Sequence, residues 1–270
     1  MFLKVFVIVL VGFVASSSAV KCPRIPTHYE ELGCTPIQTS AGSCPTSYDC
    51  SSFFNRDPTK CYYKNQAINP GTSLGESTLK GLCVPGCNCQ IRDGKASFMC
   101  SHYDCFNWSQ AKDNCFINNK LDDCCRGEEV CGKTPRATCN FKGETHKEGE
   151  QFYPKNTCHK CVCTNDFEDN VPVTQNKNCK KVECGLDLHY SDKLRDGCAP
   201  VYGKDRCCPY YWHCPSDKDV VVKANASRQS SETCKFGKLT LNVGDKINVD
   251  AEKSCSCLQP PMIECKHLSE

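Results

Sequence analysis

Cysteine is the residue type that offers the most chemistry in this sequence. The chain has 270 residues and 28 cysteines, all of which follow Ala19. Closely spaced cysteines form disulfides or hold zinc, and three C-x-C pairs are open to both: Cys87/Cys89, Cys161/Cys163 and Cys255/Cys257. The compartment decides between them, because an oxidising environment favours disulfides.

The first nineteen residues predict secretion. Lys4 supplies a positive start, Val5 to Val14 form an apolar stretch, and Ser17-Ser18-Ala19 is a small-residue cleavage site. This stretch is far shorter than the ~20 apolar residues that span a membrane. We therefore predict a signal peptide at 1–19 and an extracellular protein without a membrane span. Its cysteines are expected to pair completely, with no metal, no cofactor and no free thiol.

Other residue types show no catalytic arrangement. The acidic groups Asp122-Asp123 and Asp166–Asp169 lack the regular ligand spacing of a calcium loop, and we interpret them as solvated turns. The formal net charge of +2 gives no indication of binding to nucleic acid or to an anionic membrane. The sequence thus favours a protein that is not an enzyme. Scattered single histidines, which are more often surface residues than bases, agree with this: His102, His146, His159 and His213.

The cysteine spacing recurs, which indicates a string of small cross-linked modules. In each copy a glycine follows the first cysteine by ten residues, a C-x-C pair comes next, and an adjacent Cys-Cys pair stands near the end. We call the first five cysteines of a copy its front half and the last five its back half. The first repeat, residues 61–132, contains Cys61, Cys83, Cys87, Cys89, Cys100, Cys105, Cys115, Cys124, Cys125 and Cys131. The second, residues 133–215, contains Cys139, Cys158, Cys161, Cys163, Cys179, Cys184, Cys198, Cys207, Cys208 and Cys214.

The two ends of the chain read as half-repeats. Residues 20–52, the N-terminal fragment, follow the back half, with Ser43 in the place of Cys207. Residues 234–270, the C-terminal fragment, follow the front half, with Glu252 in the place of Cys158. Residues 216–233, between the second repeat and the C-terminal fragment, are interpreted as a linker. The cysteines of these fragments are Cys22, Cys34, Cys44 and Cys50, and Cys234, Cys255, Cys257 and Cys265.

The missing cysteines suggest which pair joins the halves of a complete repeat. Each isolated half lacks one cysteine, so the simplest account is that these two positions bond to each other where both halves are present. We therefore hypothesise the bridges Cys158–Cys207 and Cys83–Cys124. An isolated half has no partner for such a bridge.

The second repeat resembles the von Willebrand factor type C module. The resemblance lies in Cys161-x-Cys163, in Cys207-Cys208-Pro209 followed by Cys214, and in Gly149-Glu150 before Phe152. The first repeat departs from it, because Arg126 replaces the proline after its Cys-Cys pair, and the segment Cys83–Cys89 also resembles trypsin-inhibitor-like modules. We expect small disulfide-rich modules, with short antiparallel β-strands in each front half and irregular cross-linked loops in each back half.

The resemblance also implies the remaining pairings, in the second repeat and at equivalent positions elsewhere. These are Cys139–Cys163, Cys161–Cys179, Cys184–Cys208 and Cys198–Cys214, with Cys22–Cys44, Cys34–Cys50, Cys234–Cys257 and Cys255–Cys265 in the end fragments. Type C modules occur in secreted proteins that bind bone morphogenetic proteins (BMPs) and related growth factors, and in matrix proteins. We expect a chordin-like binding protein for TGF-β-superfamily ligands. A structural matrix protein, or a protease inhibitor using segment 90–98 as its reactive loop, remains an alternative.

Aromatic residues are the candidate contact residues. Tyr210-Tyr211-Trp212, with Tyr202 nearby, either cover the Cys-Cys pair or form an exposed contact patch. Phe152-Tyr153, near the front-half hairpin, are likewise interpreted either as packing residues or as exposed contact residues. Two further features are local: a hairpin is expected around Gly244-Asp245, and Asn107 and Asn225 begin N-glycosylation sequons, Asn107-Trp108-Ser109 and Asn225-Ala226-Ser227.

Overall fold

Residues 22, 27–105, 110–132, 135–204, 206–224, 232–248 and 252–268 are described by the structure, a computed structural model. The signal peptide predicted at 1–19 lies outside these residues. No helix within the described ranges is long and apolar enough to cross a membrane.

Short antiparallel strands account for most of the regular structure, and the helices have four or five residues each. The N-terminal fragment and the residues after it form α1 (Thr27–Glu31), β1 (Thr35–Ile37), β2 (Ser47–Asp49) and α2 (Ser51–Phe54). The first repeat forms β3 (Cys61–Tyr63), β4 (Gln66–Ile68), β5 (Ser73–Gly75), β6 (Gly86–Arg92), β7 (Lys95–Cys100), β8 (Cys115–Asn118) and β9 (Glu128–Cys131). The second forms β10 (Thr138–Phe141), β11 (Glu144–Lys147), β12 (Gln151–Phe152), β13 (His159–Val162), β14 (Cys179–Lys181), α3 (Leu186–His189), α4 (Ser191–Arg195), β15 (Ala199–Tyr202) and β16 (Tyr211–His213). The rest forms β17 (Val220–Val222), β18 (Thr233–Phe236), β19 (Leu239–Asn242), β20 (Lys246–Asn248), β21 (Lys253–Ser256) and β22 (Glu264–His267).

Fourteen disulfides connect all 28 cysteines, and each joins a pair that the sequence analysis predicts. The two hypothesised joining bridges, Cys158–Cys207 and Cys83–Cys124, are among them. The first repeat carries the equivalent pairs Cys61–Cys89, Cys87–Cys100, Cys105–Cys125 and Cys115–Cys131. The structure is thus built from small disulfide-rich units, as expected.

Each front half begins with the same β-hairpin. In β3–β4, β10–β11 and β18–β19 the first cysteine lies opposite the residue seven positions later, which is Ile68, His146 or Leu241. Lys64-Asn65 and Lys142-Gly143 have positive φ at both turn positions, as a two-residue type I′ hairpin requires. The repeat that is visible in the cysteine spacing is therefore also a repeat of strand register.

The glycine ten residues after the first cysteine fixes the next strand. Gly71, Gly149 and Gly244 have φ between 84° and 95°. The amide of each glycine donates a hydrogen bond to the carbonyl of the second cysteine of its C-x-C pair. The amide of that cysteine donates in return to the carbonyl of the residue after the glycine. The residue three positions after the glycine then lies opposite the first C-x-C cysteine and is buried; these residues are Leu74, Phe152 and Ile247.

Each back half ends in a hairpin that is closed by a cross-strand disulfide. The hairpins β1–β2, β8–β9 and β15–β16 bring together Cys34 and Cys50, Cys115 and Cys131, and Cys198 and Cys214. The Cα atoms of these pairs are 4.4, 4.0 and 4.0 Å apart. Residues so close lie at non-hydrogen-bonded positions of an antiparallel ladder. The expectation of only irregular loops in the back halves is therefore wrong, because the cross-strand disulfide pairs two of their segments as strands.

The prediction of a hairpin around Gly244-Asp245 is wrong. The chain does turn there, but β19 pairs only with β18, whereas β20 pairs with β17 and β21. The reason is that the Gly244 amide binds the Cys257 carbonyl and turns the chain into another sheet. The linker expected at 216–233 is also only partly correct, because β17 lies within it and forms one edge of a six-stranded sheet in the order β16-β15-β22-β21-β20-β17.

The back half of the second repeat contacts each of the other parts, so the repeats do not form an open string. Leu188 of α3 packs into the core of the first repeat with Tyr63 and Leu79. Leu186 packs against the N-terminal fragment, in a core that contains Tyr29. On the other side, β15 pairs in parallel with β22 of the C-terminal fragment. A buried ion pair also holds α3: Nη1 of Arg56, which lies between the N-terminal fragment and the first repeat, is 2.6 Å from Asp187 Oδ1.

Gly149 also fixes the contact between the two repeats. Its carbonyl accepts a hydrogen bond from Asn119 Nδ2 at 2.7 Å. A Cβ atom at Gly149 would lie 2.2 Å from the carbonyl oxygen of Ile117 in β8. Gly71, the equivalent glycine of the first repeat, has nothing within 4 Å of its Cβ position. The two glycines therefore share a backbone conformation but differ in their surroundings.

This difference gives a matched test of the contact between the repeats. Gly71→Ala should lower the free energy of unfolding by about 1–2 kcal/mol, the cost of an alanine in the left-handed region. Gly149→Ala should lower it by at least about 2 kcal/mol more, because its methyl group meets backbone that cannot move aside. Guanidinium chloride unfolding of both variants measures the difference. Equal losses would show that β8 does not pack on Gly149.

Candidate functional site

The predicted contact residue Phe152 is buried, so its interpretation as an exposed contact residue is wrong. Its exposed fraction is 7%, and it packs among Phe141, Phe167 and Cys161. Its ring stacks on His146 with 3.9 Å between the centroids. Phe152 is the cross-strand partner of Cys161, so the two side chains lie on the same, buried face of the sheet. Successive residues of a strand point to opposite faces. The next residue, Tyr153, is exposed by 64%.

The aromatic run 210–212 divides between surface and core. Tyr210 is exposed by 52%, whereas Tyr211 and Trp212 are half-buried in β16. Tyr211 packs against the core that contains Val201 and Phe236, and Trp212 packs on the other face against the core that contains Tyr29. Neither sequence interpretation describes all three residues. Tyr210 remains a candidate contact residue, and the other two cover the neighbouring cores.

A cavity of about 530 Å³ opens beside the bridge that joins the halves of the second repeat, and we call it the joining groove. Its walls come from both halves, with the Cys158–Cys207 disulfide between them. Val182 anchors one wall, because its amide donates to the Cys158 carbonyl at 2.9 Å. The lining residues are Tyr153, Pro154, Asn156, Cys158, His159, Val182, Arg206, Cys207, Cys208 and Pro209.

The rim of the joining groove is aromatic and cationic. The guanidinium carbon of Arg206 lies 4.7 Å from the centroid of the Tyr210 ring, which is within the range of a cation–π contact. Lys155, next to the groove, forms an ion pair with Glu144 at 3.4 Å. The wall residues Pro154 and Pro209 are apolar and conformationally restricted. The groove can therefore bind an apolar or aromatic side chain and place a cation beside it.

The corresponding side of the first repeat is covered. Lys180 of β14 donates to Asp122 Oδ1 at 2.7 Å, two residues before the joining cysteine Cys124. The Nζ atom of Lys180 also lies 3.3 Å from the Cβ position of Gly81, two residues before Cys83. The hydrogen bond from Lys180 lowers the pKa of the Asp122 carboxyl, although burial opposes this. Lys180 of the second repeat therefore covers the surface beside the joining bridge of the first repeat. The equivalent surface of the second repeat is open and forms the joining groove.

The histidines named in the sequence analysis serve structural contacts. His146 stacks on Phe152, and His213 Nε2 lies 3.0 Å from Asp219 Oδ1. His159 Nδ1 lies 2.6 Å from the carbonyl oxygen of Thr157. His102 stacks on His189 with the centroids 5.9 Å apart. Each imidazole thus has a local structural role.

The acidic turns are satisfied by protein donors. Asp166 accepts a hydrogen bond from Thr164 Oγ1 at 2.6 Å and pairs with Lys177 at 2.8 Å, and the Lys177 ammonium lowers its pKa to about 2. Asp169 accepts from the Asn140 amide at 3.0 Å. Within the described ranges, one group of potential metal ligands lies close together, formed by Cys115, Glu129 and Cys131. The two sulfurs of that group are bonded to each other, so they are not thiolate ligands.

The segment proposed as a protease-inhibitor loop is a β-hairpin. Gln90–Arg92 belong to β6, Lys95–Phe98 belong to β7, and Asp93-Gly94 form the turn. Ala96 is held further, because its carbonyl accepts a hydrogen bond from Arg195 Nη1 at 2.6 Å. The segment is thus a paired hairpin rather than an extended strand with free backbone groups, and Ala96 is hydrogen-bonded to Pro58 and Arg195 outside it. The sequons at Asn107 and Asn225 lie outside the described residues.

The joining bridge should control both the stability and the order of the groove. Replacing Cys158 and Cys207 with alanine removes a bridge that closes 49 residues. We expect a loss of about 2–4 kcal/mol in guanidinium chloride unfolding. The Val182 amide should also exchange with deuterium faster, because its acceptor is the Cys158 carbonyl. The matched control, Cys22→Ala with Cys44→Ala, should lower stability and leave Val182 exchange unchanged; equal exchange in both variants would contradict this role of the bridge.

The resemblance of the second repeat to a type C module stays a prediction. Comparison with protein-family models, with curated proteins and with solved structures finds no match.

Proposed function

We propose that this protein is a secreted extracellular binding protein that modulates TGF-β-superfamily growth factors, including BMPs, by sequestration or presentation. The observation that carries the proposal is the joining groove, with Tyr153 exposed on one wall and Arg206 stacked on Tyr210 at the other. Tyrosine and arginine are enriched among the residues that contribute most to protein–protein binding. The type C resemblance supplies the ligand class.

The rigidity of the groove supports a binding role. A disulfide joins its two walls, and prolines stand on both. A surface that is already ordered loses less conformational entropy when it binds. Among the described residues that line the groove there is one histidine, His159, whose Nδ1 lies 2.6 Å from the Thr157 carbonyl oxygen, and no Asp or Glu. Binding therefore accounts for this surface better than acid–base catalysis does.

The alternative of a structural matrix protein gains less support. Its modules would act as spacers, for which an extended chain of independent units is suited. Here Leu188, Leu186 and β15 each pack the second repeat against a different part of the chain. This closed arrangement suits a protein that presents one surface.

Direct binding tests the proposal. The purified, oxidised protein should bind at least one growth factor of a TGF-β-superfamily panel at nanomolar concentration on a biosensor. Tyr153→Ala and Tyr210→Ala should each weaken that binding by about tenfold or more, because each removes an exposed aromatic contact.

Tyr103→Ala is the matched control, because Tyr103 is an exposed tyrosine of the first repeat. It should leave the affinity unchanged. Binding that none of the three substitutions changes would place the contact surface elsewhere. Absence of binding to every growth factor in the panel would overturn the proposed function.

A further inference from the structure

The N-terminal fragment docks in the structure on the C-terminal fragment and on the second repeat, and we call this whole contact the end joint. The Tyr29 hydroxyl donates to the Gln259 carbonyl at 2.5 Å and accepts from the Met262 amide at 3.0 Å. The Tyr48 amide donates to the Pro260 carbonyl at 2.8 Å. Residues far apart in sequence thus share several specific hydrogen bonds.

The back half of the second repeat completes the docking surface for the N-terminal fragment. The Glu31 carboxylate accepts from the amides of Cys184 and Leu186 at 2.5 and 3.1 Å. His28 Nδ1 lies 2.8 Å from the Tyr202 hydroxyl. Glu30 forms an ion pair with Lys181 at the edge of this surface. The buried side chain of Tyr29 lies at the centre, so the docked fragment is specifically recognised.

No disulfide crosses the end joint. The two bridges of the N-terminal fragment, Cys22–Cys44 and Cys34–Cys50, are internal, and so are those of the C-terminal fragment. In the two repeats, by contrast, a disulfide joins the front half to the back half. The N-terminal fragment can therefore leave its site without breaking a covalent bond, while its own bridges keep it folded.

The end joint also contains buried polar side-chain atoms that have no hydrogen-bond partner in the described part of the protein. Within the described ranges nine buried side-chain nitrogen or oxygen atoms have no hydrogen-bond partner, and four of them belong to the N-terminal fragment or to Trp212, which packs on it. These four are His28 Nε2, Ser47 Oγ, Tyr48 Oη and Trp212 Nε1. These atoms make no protein hydrogen bond that would oppose opening of the joint.

We propose that the end joint is exchangeable between molecules. The N-terminal fragment of one copy docks onto the C-terminal fragment and second-repeat back half of another copy, through the same contacts that close the joint within a single chain. Reciprocal exchange between two copies gives a dimer. The surface is complementary to this occupant because the occupant is the segment that already fills it.

Acid supplies a way to open the joint. His28 is exposed by only 1%, and burial lowers its pKa to about 3 from an ordinary value of 6.5. The neutral form is thus favoured in the closed joint, whose stability is complete above pH 6.5 and falls as the pH drops toward 3. At pH 5 this shifts the equilibrium toward the open state by about thirtyfold.

Other titratable groups face His28 from the elements packed around it. Tyr29 and Tyr202 contact the imidazole, Glu264 and Tyr48 lie near Tyr29, and Lys181 pairs with Glu30. Burial raises the pKa of Glu31, which acts in the opposite sense, because this carboxyl group favours the closed joint when protonated. Its contribution changes as the pH falls from that raised pKa to the ordinary value of 4.5, so it offsets part of the effect of His28 in that range.

Isotope mixing with cross-linking tests the exchange directly. Unlabelled and 15N-labelled protein are mixed, held at pH 5, returned to pH 7.4 and treated with a carbodiimide, which converts the Glu30–Lys181 ion pair into an amide. The proposal expects a dimer in size-exclusion chromatography with light scattering, and cross-linked peptides in which one partner carries 15N. Cross-links that are all of a single isotope, with only monomer present, would overturn it.

Two variants sharpen the result. Tyr29→Phe removes hydroxyl bonds of the joint and should increase mixed cross-links without the acid step. Tyr103→Phe, a hydroxyl deletion in the first repeat, should behave as the wild type. His28→Gln removes the titrating group and should make the yield of mixed cross-links independent of the acid step. A dimer that forms without mixed Glu30–Lys181 cross-links would also overturn the proposal, because another surface would then hold it.

Discussion

The structure depends on one constraint, the disulfide that joins directly opposed residues of two adjacent strands. In each front half this bridge links the first C-x-C cysteine to the strand that follows, and in each back half it closes the final hairpin. Units of this size bury too little apolar surface to be stable without such cross-links. Because each bridge fixes a register, it also fixes which residues face inward.

The fixed register determines where side chains are available for binding. Phe152 must face inward because Cys161 lies opposite it, and Tyr153 must then face outward. The joining bridge brings this outward face beside Arg206 and Pro209. The joining groove is therefore a result of the disulfide pattern, whereas the residue types of its aromatic rim are not set by the bridges.

The cysteine spacing predicts the repeat, and the two missing cysteines predict the joining bridges, because both depend on local order along the chain; the other pairings are what the type C resemblance implies. Phe152 could also have been assigned to the core, since Leu74 and Ile247 occupy the same position after their glycines. The parallel pairing of β15 with β22 and the contact of Tyr29 with Gln259 have no such local signal. They depend on the complementarity of surfaces far apart in sequence, which cysteine spacing does not encode.

The contact between Tyr29 and Gln259 also has a consequence for the order of biosynthesis. The two residues are 230 positions apart, so Tyr29 is synthesised long before its partner. At about 5–20 residues per second, the delay is roughly 10–50 s. During that time the N-terminal fragment exposes a surface that will later be buried, and only its two internal disulfides can hold its shape. A chaperone that covers this surface on the nascent chain would therefore act before the last strand is made.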